Sequence, residues 1–408
     1  MSPHTGSFRT RAVGLLGAMS ALLATWTIAV PAAQADDMRS RQWYLDAMKA
    51  DELWKVSTGK GVTVAVLDSG VDSTVPELHG KVLPGRNFYD PEGGTGRVDG
   101  RDTERHGTNM AIAIAGNGSD GGIKGLAPGV KILPVKVGLY RGNFSILQSS
   151  AKGIRYAVDH GARVINISMG GPEEVEEVPQ WRSAVDYALK KGALIFAGSG
   201  NEGEAKRSYP AAIPGVIAIG ALDSKGKVAK FSNYGDHLTL AAPGVSVPGR
   251  CTDDGSRYCE TGGTSQATAI ASASAALIWS AHPDWTANQV LRVMMQTAGH
   301  VGPVPSKYIG YGSVRPAQVL LEGKGDPGAP DVNPLLAAQA KKSPGPGTSP
   351  SPEGTGASGK GSDQASKEPV AAARPDEGGF PLWGIVASAV AVVAIGAVVA
   401  VGVRSRRA

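Results

Sequence analysis

Five short apolar runs alternate with longer stretches of helical character, and this alternation restricts the fold more than any other feature. The runs occupy 62–67, 131–137, 163–168, 193–197 and 216–219. Each is nearly continuous in Val, Ile, Leu and Ala, with little of the in–out polar alternation of a half-exposed strand. Strands of that kind are buried on both faces, which is the condition inside a covered parallel sheet. Helical patterning fills the intervals at 106–115, 144–159, 180–190, 264–280 and 286–297. Asp284 ahead of Trp285 and Thr286 reads as a helix start, and Gly192 after Lys190 and Lys191 as a stop. Strand–helix alternation with right-handed crossovers predicts an α/β fold: a doubly wound, mostly parallel sheet with helices on both faces. In such sheets chemistry gathers beyond the carboxyl ends of the strands.

Three polar blocks fall at those edges. Asp68 closes the first run in Val-Ala-Val-Leu-Asp-Ser-Gly, His106 stands in Arg-His-Gly-Thr, and Ser265 in Gly-Gly-Thr-Ser. Alone, each has a plain structural reading: a turn aspartate, a capping histidine, an N-cap serine. Together they form the set needed for nucleophilic attack on a peptide carbonyl. Ser265 is the candidate nucleophile, His106 the general base, and Asp68 the carboxylate that orients the imidazole and steadies its charge. His106 and Ser265 open predicted helices, where free N–H groups and the positive dipole end favour an anionic intermediate. Asn201, after the fourth run in Gly-Ser-Gly-Asn-Glu-Gly, is placed to donate to that oxyanion, with the Ser265 backbone N–H as second donor.

The order Asp, His, Ser is the subtilisin order. Over residues 41–321 the chain resembles a subtilisin-family serine protease. The resemblance rests on Trp43-Tyr44-Leu45-Asp46, on 61–72, and on Gly263-Thr264-Ser265. It implies that Ser168, Met169 and Gly170 form the edge that pairs with extended substrate, and that Ser199 and Gly200 line the other side of the cleft. It implies a peptidase acting on protein or peptide substrates, without cofactor. Three positions depart from the family's habit: Asn109 replaces a common His, Ala269 a common Pro, and Gln266 a common apolar residue.

The ends of the chain suggest its location. Residues 1–35 have a basic start at Arg9 and Arg11, an apolar stretch, and the small-residue site Ala33-Gln34-Ala35, as in a secretory signal peptide. Residues 380–403 carry no charge and, at about 1.5 Å per residue, would span roughly 36 Å as a helix, enough to cross a bilayer. Arg404, Arg406 and Arg407 follow in the tail 404–408, so the positive-inside rule puts the tail in the cytoplasm and the body outside. Residues 324–379, dense in Pro, Gly, Ser and Ala, are expected to form a disordered tether. That leaves 36–323 as a single peptidase domain, with no room between the signal site and Asp68 for a folded pro-domain. The layout of signal, protease, Pro-rich tether, one anchor and basic tail resembles the mycosins, membrane-anchored proteases of type VII secretion systems. It implies contact with the plasma membrane through the C-terminal helix and with a type VII membrane complex. There the domain would cut, dock structurally, or both. A tethered degradative or shedding protease without secretion partners is the alternative.

Smaller signals complete the reading. Cys251 and Cys259 are the two cysteines of the chain, and in an exported protein a close pair suggests a disulfide, with two free thiols as the alternative. No dense run of Asp and Asn resembles a calcium loop, so no required metal is expected. The net charge of +5 is modest, and the body shows no basic cluster interleaved with aromatics, so nucleic acid is not indicated. Glu173, Glu174, Glu176 and Glu177 beside the cleft, with Glu202, suggest a mild preference for basic residues near the cut; a solvated acidic loop explains them equally.

Overall fold

A computed structural model describes residues 38–90, 94–97, 105–138, 145–171, 179–251 and 257–342, with the backbone alone at 145–148 and 342. All of these lie in the first of two units, Met1–Gly345. The expected signal (1–35), apolar span (380–403), basic tail (404–408) and the glutamates at 173–177 lie outside the described residues. Among the described residues no helix is long and apolar enough to cross a membrane.

In chain order the elements are α1 (Trp43–Ala47), α2 (Ala50–Val56), β1 (Thr63–Asp68), β2 (Arg86–Asn87), α3 (His106–Ala115), β3 (Lys131–Lys136), α4 (Ser145–Asp159), β4 (Val164–Ile167), α5 (Pro179–Lys190), β5 (Leu194–Gly198), β6 (Ile217–Leu222), β7 (Leu238–Pro243), β8 (Val247–Arg250), β9 (Tyr258–Thr261), α6 (Thr264–Ala281), α7 (Ala287–Gln296), α8 (Pro316–Leu320) and α9 (Pro334–Lys342). Strands β1 to β7 form one sheet in the order β2-β3-β1-β4-β5-β6-β7. Every pairing in it is parallel. The chain leaves β1 toward β3 on one side and returns to β4 on the other, so the order reverses at β1. That is the switch point where open α/β sheets place their sites.

The pleat divides the apolar residues between two cores. Val64, Val66 and Phe196 join the cluster built with α3, α6 and α7. Ala65, Leu67 and Ile195 join the cluster with α4 and α5. The predicted doubly wound sheet with helices on both faces is the observed one. Helix α6 runs along the sheet, buried from Thr264 to Trp279. Its alanines allow a close approach to β4, β5, β6 and β7, while Thr268 and Ser274 return their hydroxyls to the carbonyls of Thr264 and Ile270. Helix α7 begins one turn of chain beyond Asp284: Thr286 and Gln289 form a capping box.

One boundary differs from expectation. The residues from Lys324 to Lys342, expected to open the tether, pack on the domain instead. Arg292 of α7 donates to the carbonyls of Pro327, Ala329 and Val332, and Gln289 and Asn288 hold Gly328 and Pro330. Leu335 of α9 is buried. A Pro- and Gly-rich segment is thus fixed through its backbone carbonyls, a feature that composition does not display.

Candidate active site

The carboxyl edge of β1 supplies Asp68, which is completely buried. Its Oδ1 accepts from the Ser69 backbone N–H at 2.8 Å and lies 2.7 Å from His106 Nδ1. A buried carboxylate on Nδ1 fixes the ring and leaves Nε2 as the proton acceptor. His106 is the first residue of α3, and Gly107 allows that helix to start there. A Cβ at Gly107 would sit 2.2 Å from the Gly70 carbonyl oxygen and 3.0 Å from Asp68 Cβ. The Gly107 N–H donates to Ser69 Oγ at 3.1 Å, so the turn after β1 and the first turn of α3 are tied together around the carboxylate.

Ser265 stands in the first turn of α6 and is nearly buried. Its Oγ donates to the Ser168 carbonyl at 3.0 Å, and Ser168 Oγ returns a bond to the Ser265 carbonyl at 3.1 Å. Asn166 Nδ2 donates to Ser168 Oγ at 2.9 Å, and Ser272 Oγ donates to Asn166 Oδ1 at 3.2 Å. This polar ladder pins the start of α6 to the end of β4. No hydrogen bond joins Ser265 to His106 among the described residues. A serine resting on a nearby carbonyl is a common ground state, because catalytic hydrogen bonds often form only with substrate bound.

Asn201 follows β5. Its Oδ1 accepts from Thr264 N–H at 2.8 Å and from Thr264 Oγ1 at 3.1 Å. A backbone N–H only donates, so the amide oxygen must face α6, which turns Nδ2 outward as a donor. Residue 201 is exposed, beside the first turn of α6.

The residues expected at the cleft edges are held by their own contacts. Gly171 and Tyr209 exchange backbone hydrogen bonds at 2.9 and 3.2 Å, which fixes the chain just after Ser168, Met169 and Gly170. The Met169 side chain belongs to the α4–α5 core. Ser199 is fully buried and its Oγ donates to the Asn233 carbonyl. The Gly200 N–H donates to Thr264 Oγ1 at 3.3 Å.

The departures at 109, 266 and 269 have structural roles. Asn109 accepts from Arg250 N–H at 2.8 Å and donates to the Arg250 carbonyl at 3.2 Å, pairing α3 with β8. Gln266 Nε2 donates to Thr261 Oγ1 at 3.0 Å, and Ala269 is a core residue. Behind β8 lies a group that motif reading passed over. Glu77, fully buried, accepts from Arg250 Nη1 at 3.1 and 3.0 Å and from the Tyr258 hydroxyl, with Arg257 Nη2 4.0 Å away. Burial first, then the hydrogen bond to Glu77, pushes the Tyr258 phenol up. A disulfide joins Cys251 and Cys259 across the β8–β9 hairpin, with Cα atoms 5.4 Å apart. From β9 the chain runs directly through Gly262 and Gly263 to Ser265. A glutamate in Pro-Glu-Leu carries no local signal, since its partners are more than 170 positions away. Among the described residues no group of three His, Cys, Asp or Glu side chains is arranged to hold a metal ion.

The chain is similar to known proteins. Residues 59–312 match the subtilase family, peptidase S8. The thermophilic serine proteinase of Bacillus sp. (strain AK1) is 40% identical over 230 residues, which cover 56% of this chain and 55% of that protein. The chain therefore spans about half the length of that relative. Among solved structures, MycP1 from Mycobacterium smegmatis superposes with a TM-score of 0.62 at 27% identity, over 71% of this chain and 86% of that one. The MycP3 protease from the type VII (ESX-3) secretion system gives a TM-score of 0.59 at 30% identity, over 68% and 88%. The chain belongs to the subtilase family of serine proteases.

Proposed function

We propose that the protein is a membrane-anchored serine endopeptidase working outside the plasma membrane, in association with a type VII secretion complex. The observation that carries the peptidase reading is the 2.7 Å bond from His106 Nδ1 to the buried Asp68, at the sheet edge that also holds Ser265 and Asn201. Ser265 Oγ attacks the scissile carbonyl and its proton passes to His106 Nε2. Asp68 stabilises the imidazolium. The oxyanion accepts from Asn201 Nδ2 and the Ser265 N–H. Collapse breaks the C–N bond, and the imidazolium gives its proton to the leaving amine. Water, deprotonated by His106, then hydrolyses the acyl-enzyme. The substrate lies extended between 168–170 and 199–200.

Replacing Ser265 by Ala is expected to lower kcat on a sensitive peptide by on the order of 10⁶-fold. Unchanged hydrolysis would refute the assignment. The location rests on the apolar runs at 1–35 and 380–403, and the secretion partner on likeness to MycP1 and MycP3. Isolation of membrane complexes through the tagged full chain tests that part: co-purifying secretion components support it, and their absence rejects it. Comparing deletion of the gene with Ser265→Ala separates docking from cutting, since secretion lost only on deletion marks a structural role.

A further inference from the structure

We infer that Asn233 is a positioning residue for the oxyanion donor, holding the loop that carries Asn201 from beneath. The inference rests on the reading of Asn201 given above. Asn233 is fully buried, in the turn between β6 and β7. Every polar group it has is spent on residues 199–204. Its Oδ1 accepts the backbone N–H groups of Glu202 and Glu204, both at 3.1 Å. Its Nδ2 donates to Glu202 Oε2 at 2.5 Å. Its backbone N–H donates to the Gly200 carbonyl at 3.1 Å, and its carbonyl accepts from Ser199 Oγ at 3.1 Å.

The neighbours extend the same template. Gly203 N–H donates to the Phe231 carbonyl at 2.7 Å, and Tyr234 N–H to the Glu204 carbonyl at 3.0 Å. The approach is tight: a Cβ on Gly200, which has φ +106°, would meet Asn233 Nδ2 at 2.3 Å. Asn201 is therefore fixed from two sides. Thr264 holds its Oδ1, and Asn233 holds the backbone on either side of it. Removing the Asn233 side chain takes from the Glu202 and Glu204 N–H groups and from the Glu202 carboxylate the partner that holds them in place, which loosens the peptide at 201–204. An oxyanion donor works only when aimed at where charge develops, and a displacement near 1 Å costs up to about a hundredfold in rate.

The test is steady-state kinetics on a sensitive peptide, with the full chain and four variants. Asn201→Ala is expected to lower kcat by about 10²–10³ with KM nearly unchanged. If it does not, the oxyanion reading itself fails, and that failure is visible without any variant at 233. Given that loss, Asn233→Ala is expected to lower kcat ten- to a hundredfold with KM within about threefold. Combined with Asn201→Ala, it should add little further loss, because the two act on one donor. A fourth variant covers the chance that Asn233→Ala does not fold. Asn233→Asp together with Glu202→Gln keeps the two acceptor bonds and reverses the third, so kcat should recover to within about threefold of the parent. Unchanged kcat in a folded Asn233→Ala, full additivity with Asn201→Ala, or failure of the exchanged pair to restore rate would each overturn the inference.

Discussion

Arg250→Met provides a quantitative test of how the hairpin is held. Glu77 has no solvent exposure and Arg250 has 17% at its side chain, so the pair is shielded from water and salt. Two of the three close contacts to the carboxylate come from Arg250, at 3.0 and 3.1 Å. Removing one partner of a buried pair costs about 3–5 kcal/mol, because the remaining charge is left uncompensated. Here the Tyr258 hydroxyl stays, and Arg257 stands 4.0 Å off, so the lower end, about 3 kcal/mol, is expected. At about 2.1 cal/mol/K of unfolding entropy per residue, this is a fall of roughly 5 °C in Tm for a domain of nearly 300 residues. Adding Glu77→Gln removes the orphaned charge and should recover more than half of the loss. The measurement is thermal and denaturant unfolding in a Ser265→Ala background, which prevents the chain from digesting itself and making the transition irreversible. A fall below about 1 kcal/mol on Arg250→Met would refute the reasoning. So would a double variant no more stable than the single one, since both outcomes would mean that the carboxylate is not a desolvated charge dependent on Arg250.

His237 supplies a pH test. Burial first, with the positive charge of Arg207 second, lowers its pKa to about 4, against an opposing pull from Asp236. Between about pH 6.5 and 4 the unfolded chain binds a proton that the folded chain refuses. Stability therefore falls as pH drops through that window, by on the order of 3 kcal/mol, and His237→Gln should flatten the profile there; an unaltered profile would exclude His237 as its source. Arg292→Ala removes the three carbonyl contacts of the strap at 327–332. Amide exchange at 326–335 should accelerate at least tenfold while kcat on a short peptide stays unchanged, and equal protection in both proteins would reject the clamp.

What the sequence displayed and what it hid divide along the range of the interactions. Five strands were visible because each is a local apolar run, and Asp68, His106 and Ser265 because each sits in a short block at an element's edge. Asn201 followed from the same logic, and the structure brings it against the first turn of α6. Strand β7 is not among the expected runs: Leu-Thr-Leu-Ala-Ala-Pro ends in small residues and a proline, which carry little strand signal, although all six positions are buried. The hairpin β8–β9 escaped because Pro248 and Gly249 interrupt it; its stability comes from Glu77, Asn109 and a disulfide. Met169 was expected at the cleft edge from its neighbours in sequence, but the direction of its side chain depends on helices far along the chain.

The same distinction explains the strap and Asn233. Residues 324–332 carry almost no apolar side chains, so by composition they cannot bury enough surface to fold. They are nevertheless ordered, because the energy comes from their carbonyls, a group every residue has and no composition measure counts. Arg292 supplies up to five donors in a rigid fork and uses them on three of those carbonyls. Asn233 is the same device turned inward: one side chain reads the backbone of a loop about thirty positions away and leaves no pattern in the sequence between. Both cases place a polar side chain where backbone groups of an irregular segment would otherwise lack partners. In a fold whose sheet and helices satisfy themselves, such residues decide which loops are fixed, and the loop fixed by Asn233 is the one on which the proposed chemistry depends.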